Sequence, residues 1–309
     1  MTEVDQIVPG NSAANGARDL RNGVIIVLSG GPFDWTNPQE VRDRMDTLNS
    51  EVNADPFVSA NTGGNGLTFM LLPDQETHHI HQARWKDICS NPKVTAASPL
   101  ILIGHSNGGA AVIDLARWLN EQGTPVDFVF TADSVFTLED NGNCYQVPPN
   151  VKLNLNTHTI PTPFWVVLPF PFGENNHREQ GGSLDGILNI GLPFQEPGAL
   201  AHRDCFYIIA GGDQTGQGAF KYPELIRDST LAVLKGATDD AVIQLAQQYL
   251  QVLANEMNIS IDVESSTFNT TLLPTDLAPE DQTPRLSDAS VTEMRKAMTN
   301  LEKVRLSAH

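Results

Sequence analysis

The chain has 309 residues, with 37 Asp and Glu against 19 Lys and Arg and a formal charge of −18. That balance argues against nucleic acid, whose binders carry a basic domain or stripe, and against an anionic membrane surface, which would repel it. With 40% hydrophobic and only 18% charged residues, the bulk can bury a large core and does not have the composition of a disordered chain.

Residues 1–20 are polar and rich in Gly, Asn and Ala, and read as a flexible lead-in. They lack the basic segment and apolar run of a secretory signal. Val24 to Leu28 is a β-branched run that ends on Ser29-Gly30-Gly31, the pattern of a buried strand meeting a tight turn. Asn37, Pro38 and Glu40 supply a cap residue, a proline at the first helical position and the Glu of a capping box. Val41, Met45, Leu48 and Val52 follow at helical spacing, so 38–53 is predicted helical. Leu67 to Leu72 is a second apolar run, and 77–89 reads as a helix that ends before Asn91-Pro92.

Leu100 to Ile103 is a third buried strand, running into Gly104-His105-Ser106-Asn107-Gly108-Gly109. An amphipathic helix follows, carrying Val112, Ile113, Leu115, Ala116 and Leu119 and stopped at Gln122-Gly123. Further strands are expected at Val126–Phe130, Val151–Asn156 and Cys205–Ala210. Val242, Leu245, Tyr249, Val252 and Leu253 mark a strong helix. A polar strap over 273–288 then leads to a terminal amphipathic helix with Val291, Met294, Met298 and Leu301. Continuous apolar strands alternating with helices predict an α/β fold, a three-layer αβα sandwich around a mostly parallel sheet, with a C-terminal helical extension. No run reaches the ~20 apolar residues of a membrane helix, so the expectation is a soluble, cytoplasmic protein without an integral membrane segment.

The chemistry-bearing feature is Gly104-His105-Ser106-Asn107-Gly108, a G-x-S-x-G pentapeptide. By itself the pattern is common. Its setting is informative, because a serine on a strained strand-to-helix turn needs a buried strand before it, a helix after it and glycines where side chains would collide. Both flanks are present. With them the chain resembles the α/β-hydrolase superfamily, in particular its lipase- and esterase-like serine hydrolases, over about 24–215.

That resemblance implies roles. Ser106 is the expected nucleophile, and the amide of Asn107 the first oxyanion donor. The second donor belongs to the loop after the first recognised strand. There Pro32 has no N–H to give, which leaves Gly31, with Phe33 in reserve; Ser29 stands where the family more often has His. An alcohol nucleophile needs a base, and the family order is Ser, acid, His. His202 is the preferred base, with His177 and His158 as alternatives. Asp133, at the end of the strand after the nucleophile helix, is the preferred acid, with Glu174 and Asp185 as the candidates one strand later. The segment Ile160 to Gly173, rich in proline and aromatics, is expected to form a lid or acyl pocket within an insertion at about 160–200.

Other chemistries have less support. His78 and His81 could share a helix face, but two histidines alone do not make a ligand set. Cys89, Cys144 and Cys205 match neither a disulfide framework nor a metal knuckle. Neither a Walker loop nor G-x-G-x-x-G occurs, so no cofactor and no metal are expected. The domain organisation implied is a lead-in at 1–20, an α/β-hydrolase domain at 21–258 and a strap with a helix at 259–309, whose apolar face could also join two copies. The expected reaction is hydrolysis of a small-molecule carboxylic ester with a hydrophobic acyl part. A thioesterase, acyltransferase or peptidase on the same triad is an alternative, as is a non-catalytic binding protein on a hydrolase scaffold.

Overall fold

The computed structural model describes residues 20–28, 38–72, 94, 98–134, 145–160, 174–193 and 225–274. Ten strands lie among these residues: β1 Val24–Leu28, β2 Thr68–Leu72, β3 Leu100–His105, β4 Val126–Ala132, β5 Gln146–Val147, β6 Val151–Ile160, β7 His177–Arg178, β8 Ile187–Pro193, β9 Ile261–Ser265 and β10 Asn269–Leu272. The helices are α1 Pro38–Ala54, α2 Pro56–Asn61, α3 Asn107–Glu121, α4 Leu225–Leu234 and α5 Asp239–Met257. Eight strands form one sheet in the order β10-β9-β8-β6-β4-β3-β1-β2, while β5 and β7 pair separately. All neighbours from β2 to β8 in that sheet are parallel; β9 and β10 are antiparallel.

The expected mostly parallel α/β sandwich is the architecture observed. Strands covered on both faces need apolar side chains on both, and β1 and β3 are buried along their whole length. On one face Ile26, Leu28, Leu100 and Leu102 pack under α3 through Val112, Ile113, Leu115 and Leu119. On the other, Ile25, Ile101, Ile103, Phe128, Phe130, Leu155 and Leu188 meet Leu48 of α1, Ile226 of α4 and Val242, Ala246 and Leu250 of α5. Full burial of each large side chain stabilises the fold by about 1.5–3 kcal/mol.

Strand β8 lies within the stretch read as an insertion at 160–200, yet it is a central strand between β6 and β9. The expected boundary at 258 falls between α5 and β9, and β9 pairs with β8, so the chain returns to the same sheet. The expected helix at 77–89, strand at Cys205–Ala210, segment 161–173 and terminal helix lie outside the described residues. Among the described residues no helix is long and apolar enough to cross a membrane.

Polar residues also enter the sheet, and one group of them forms a hydrogen-bonded network. Thr131, Asn156 and Asn189 occupy one register row of β4, β6 and β8. The Thr131 hydroxyl donates to Asn156 Oδ1 at 2.9 Å, and Asn156 Nδ2 donates to Asn189 Oδ1 at 3.0 Å. Asn176 Nδ2 donates to Thr131 Oγ1 at 3.0 Å and to Asn154 Oδ1 at 2.9 Å. Asn189 Nδ2 returns to the Asn176 carbonyl at 2.9 Å. All five side chains are buried, and a buried amide is tolerated only when bonded in this way. The network fixes 174–176 against the sheet and locks the ends of three strands in register.

Candidate active site

The sheet changes direction between β1 and β3. The chain steps from β1 to β2 on one side, then returns to place β3 on the other. In open α/β sheets such a switch point leaves a crevice beyond the carboxyl ends of the strands, where ligands bind. Ser106 stands at that crevice, immediately after β3 and before α3. Leu28, the last residue of β1, pairs with Gly104, so β1 ends beside the elbow.

The serine holds φ 56° and ψ −127°, and its side chain makes no capping bond to α3. A non-glycine residue in this region is strained by about 1–3 kcal/mol. The turn closes around it: the Gly109 amide donates to the Ser106 carbonyl at 2.9 Å, and the Ser106 amide donates to the Ala132 carbonyl at 2.9 Å. Two glycines make this closure sterically feasible. A Cβ at Gly104 would run into the Gly108 carbonyl and lie 2.8 Å from Gly109 Cα; one at Gly109 would run into Ser134 Oγ. The Asn107 amide opens α3, where first-turn N–H groups have no partner inside the helix. That makes it available to an anion, aided by the helix dipole.

Asp133 ends β4 next door. It is fully buried and holds φ 44°, a left-handed conformation that Asp tolerates better than most residues. Its amide donates to the Thr157 carbonyl at 2.6 Å. The row His105, Ala132, Thr157 crosses β3, β4 and β6, so Ser106 and Asp133 follow directly after β3 and β4, and His158 comes next in β6, two residues before its end. His158 is half-buried. Burial pushes its imidazole below the ordinary value, against the pull of the Asp133 and Asp262 carboxylates.

The remaining candidates separate by position. His177 belongs to β7, paired with β5, and its neighbour Arg178 donates to the Val151 carbonyl at 2.7 Å, at the start of β6. Asp185 precedes β8, and its carbonyl accepts from Arg178 Nε at 2.7 Å. Both therefore lie at the amino ends of the strands, across the sheet from Ser106. Glu174 is exposed and meets the site region only through its carbonyl, which accepts from Asn156 Nδ2 at 2.8 Å. Gly31, Phe33 and His202 lie outside the described residues; β8, which precedes His202 in the chain, ends at the same edge as Ser106. Among the described residues no group of three His, Cys, Asp or Glu could hold a metal ion; His78 and His81 lie outside them.

Sequence reasoning named His158 but gave it little weight, and it missed Asp262. The available signal was the alternation Asn154, Asn156, His158, which puts all three on one face of a strand that runs past its apolar part.

No family model matches the chain, and no curated protein matches it. Among the solved structures with a remote similarity to the chain are the following two. One is a cutinase-like protein from Cryptococcus sp., 20% identical with a TM-score of 0.23, covering 35% of this chain and 51% of that one. The match thus spans about half of that protein's length. The other is a protein from Lactobacillus plantarum WCFS1 assigned as a cell surface hydrolase, 12% identical with a TM-score of 0.34, covering 74% of this chain and 98% of that one. Both likenesses are remote, and the chemistry of the site rests on its own geometry.

Proposed function

We propose that this protein is a serine hydrolase that cleaves carboxylic esters through an acyl-enzyme. The observation that carries the reading is Ser106: a strained residue between a buried strand and a helix, excused from capping that helix, at the sheet's switch point and beside a buried carboxylate.

In the proposed reaction His202 takes the Ser106 hydroxyl proton as Oγ attacks the ester carbonyl. Asp133 orients the imidazole and stabilises the imidazolium. The amides of Asn107 and Gly31 stabilise the tetrahedral oxyanion, a contribution of about 2.7–4 kcal/mol for one such donor. The alcohol leaves with the proton held by His202. Water then gives a proton to His202, attacks the acyl carbon and releases the acid, and Ser106 recovers its proton. A neutral ester suits a chain of charge −18 better than an anionic one.

A fluorophosphonate probe should label the folded protein on the peptide containing Ser106, and Ser106→Ala should abolish both labelling and hydrolysis of short p-nitrophenyl esters. A variant that turns over these esters at the wild-type rate would remove Ser106 from the mechanism. Side-by-side turnover of esters, acyl thioesters and peptides would identify the acyl group taken.

A further inference from the structure

The end of β6 holds a titratable group that the proposed triad does not use. His158 sits in register with Gly191 of β8, and Gly191 in register with Asp262 of β9. In-register residues of neighbouring strands share a face. Gly191 carries no side chain, so only an empty register position separates the imidazole from the Asp262 carboxylate. On the other side, Ala132 pairs with Thr157 and the Asp133 amide donates to the Thr157 carbonyl. Asp133 thus follows beside His158, and the imidazole stands between two carboxylates.

Its Nδ1 is sealed from solvent and has no hydrogen-bond partner. Among the described residues, Asp133 on β4 and Asp262 on β9 are the charged groups that act on it. Burial outweighs both carboxylates and lowers the imidazole's pKa from its ordinary value, which favours the neutral ring. Asp262 is exposed, so water screens its charge; Asp133 is fully buried. A cation formed at His158 would therefore find its desolvated counter-ion in Asp133, and a buried charge is costly unless paired.

We propose that His158 is a positioning residue that shares Asp133 with the catalytic histidine: neutral, it leaves that carboxylate to orient the catalytic imidazole; protonated, it draws the carboxylate to itself and stops hydrolysis. The proton is taken up from solvent at the exposed part of the half-buried ring; with both ring nitrogens then protonated, the buried Nδ1–H donates to Asp133. The catalytic imidazole then loses its orienting acid. The proposal rests on the Ser106–Asp133 reading above. It adds a proton to the acid limb of the pH–rate profile that the triad alone does not contain.

The test is the pH dependence of kcat/KM for a p-nitrophenyl ester in wild type and His158→Asn, with the His158 imidazole titration followed by NMR in wild type and Asp133→Asn. At the acid end wild type should fall by about 100-fold per pH unit, two protons being taken up, whereas His158→Asn should fall by about 10-fold. At pH 7.5 the two should lie within about tenfold of each other. The NMR titration of His158 should move down in Asp133→Asn, which needs neither activity nor a folded His158 variant. Parallel acid limbs, a uniform loss at every pH, or an unmoved titration would each overturn the proposal. So would abolition of activity at all pH by His158→Asn with His202→Ala still active, since His158 would then be the base itself. Failure of the hydrolase reading is separable: wild type would neither hydrolyse esters nor take the fluorophosphonate label, whatever the titration showed.

Discussion

The two edges of the central sheet are built on opposite terms. At the amino ends of the strands, polar groups are extensively paired. Arg178 donates to the carbonyls of Asp185, Val151, Lys152 and Pro148. Arg117 joins Asp114 at 2.6 Å, Glu179 at 2.9 Å and the Gln146 carbonyl at 3.3 Å. Asn150 spends its amide on the carbonyls of Ala116 and Thr124. At the carboxyl ends, Ser106 and Asp133 hold positive φ. Three of the seven buried side-chain atoms without a partner among the described residues, Ser134 Oγ, Thr157 Oγ1 and His158 Nδ1, cluster around Asp133; one, Asn150 Oδ1, lies at the opposite edge. One edge holds the sheet together and the other stores strain and unmet bonding capacity. Such features persist only where the surroundings over-determine them, and they concentrate at functional sites.

The largest effect should come from separating strain from chemistry at Ser106. Ser106→Gly keeps the elbow and removes both the hydroxyl and the steric cost of its φ. Ester hydrolysis should fall by roughly 10⁴-fold or more. Stability should rise by about 1 kcal/mol, the relieved strain exceeding the extra chain entropy of glycine. Activity assays with denaturant melts read both. A variant that loses activity and stability together would mean the elbow is not strained in the sense argued.

At the opposite edge the signs should reverse. Arg178→Met removes the guanidinium that four carbonyls share, of which that of Pro148 keeps the Val151 amide, and should cost about 2–4 kcal/mol, read as a lower denaturation midpoint with an unchanged slope. The kcat of the remaining folded protein should stay within about twofold of wild type, because this arginine lies across the sheet from Ser106. A loss of kcat larger than the loss of folded protein would break the division between the edges.

How far this division could be read from sequence depended on which rule a segment obeys. Val24 to Leu28, Leu100 to Ile103 and the first helix announced themselves, because a strand buried on both faces has no alternative to an unbroken apolar run, and Pro38 followed by periodic apolar residues has few alternatives to a helix. Ser106 was legible for a related reason: strand, Gly-flanked serine and helix are adjacent in the chain. Strand β6 was only partly legible and β8 was missed, since Asn154, Asn156 and Asn189 look like loop residues until the network that pairs them is seen, and that network is made across strands. Asp133 could be proposed from its place after a strand. Its relation to His158, and that of His158 to Asp262, follows from register alone. Short polar strands such as β9 and β10 owe their existence to the edge of β8 rather than to their own sequence.

The smallest and sharpest expectation concerns Thr157, whose hydroxyl is buried without a partner in a row between Ala132 and Ile190. An unpaired buried hydroxyl costs about 1–3 kcal/mol, and replacing it by an apolar group of the same shape recovers part of that. Thr157→Val keeps the β-branched form the strand favours and should therefore stabilise the protein by about 1 kcal/mol, a rise in Tm of about 2–4 °C for a large domain. Activity then decides between two meanings of the gain. Unchanged turnover would make the hydroxyl an idle defect beneath Asp133. A stabilised but slower enzyme would show that the site holds this unmet donor for use, as stability–activity trade-offs at functional sites require. A loss of stability would mean the hydroxyl has a partner after all, and the contrast between the two edges would rest on backbone strain alone.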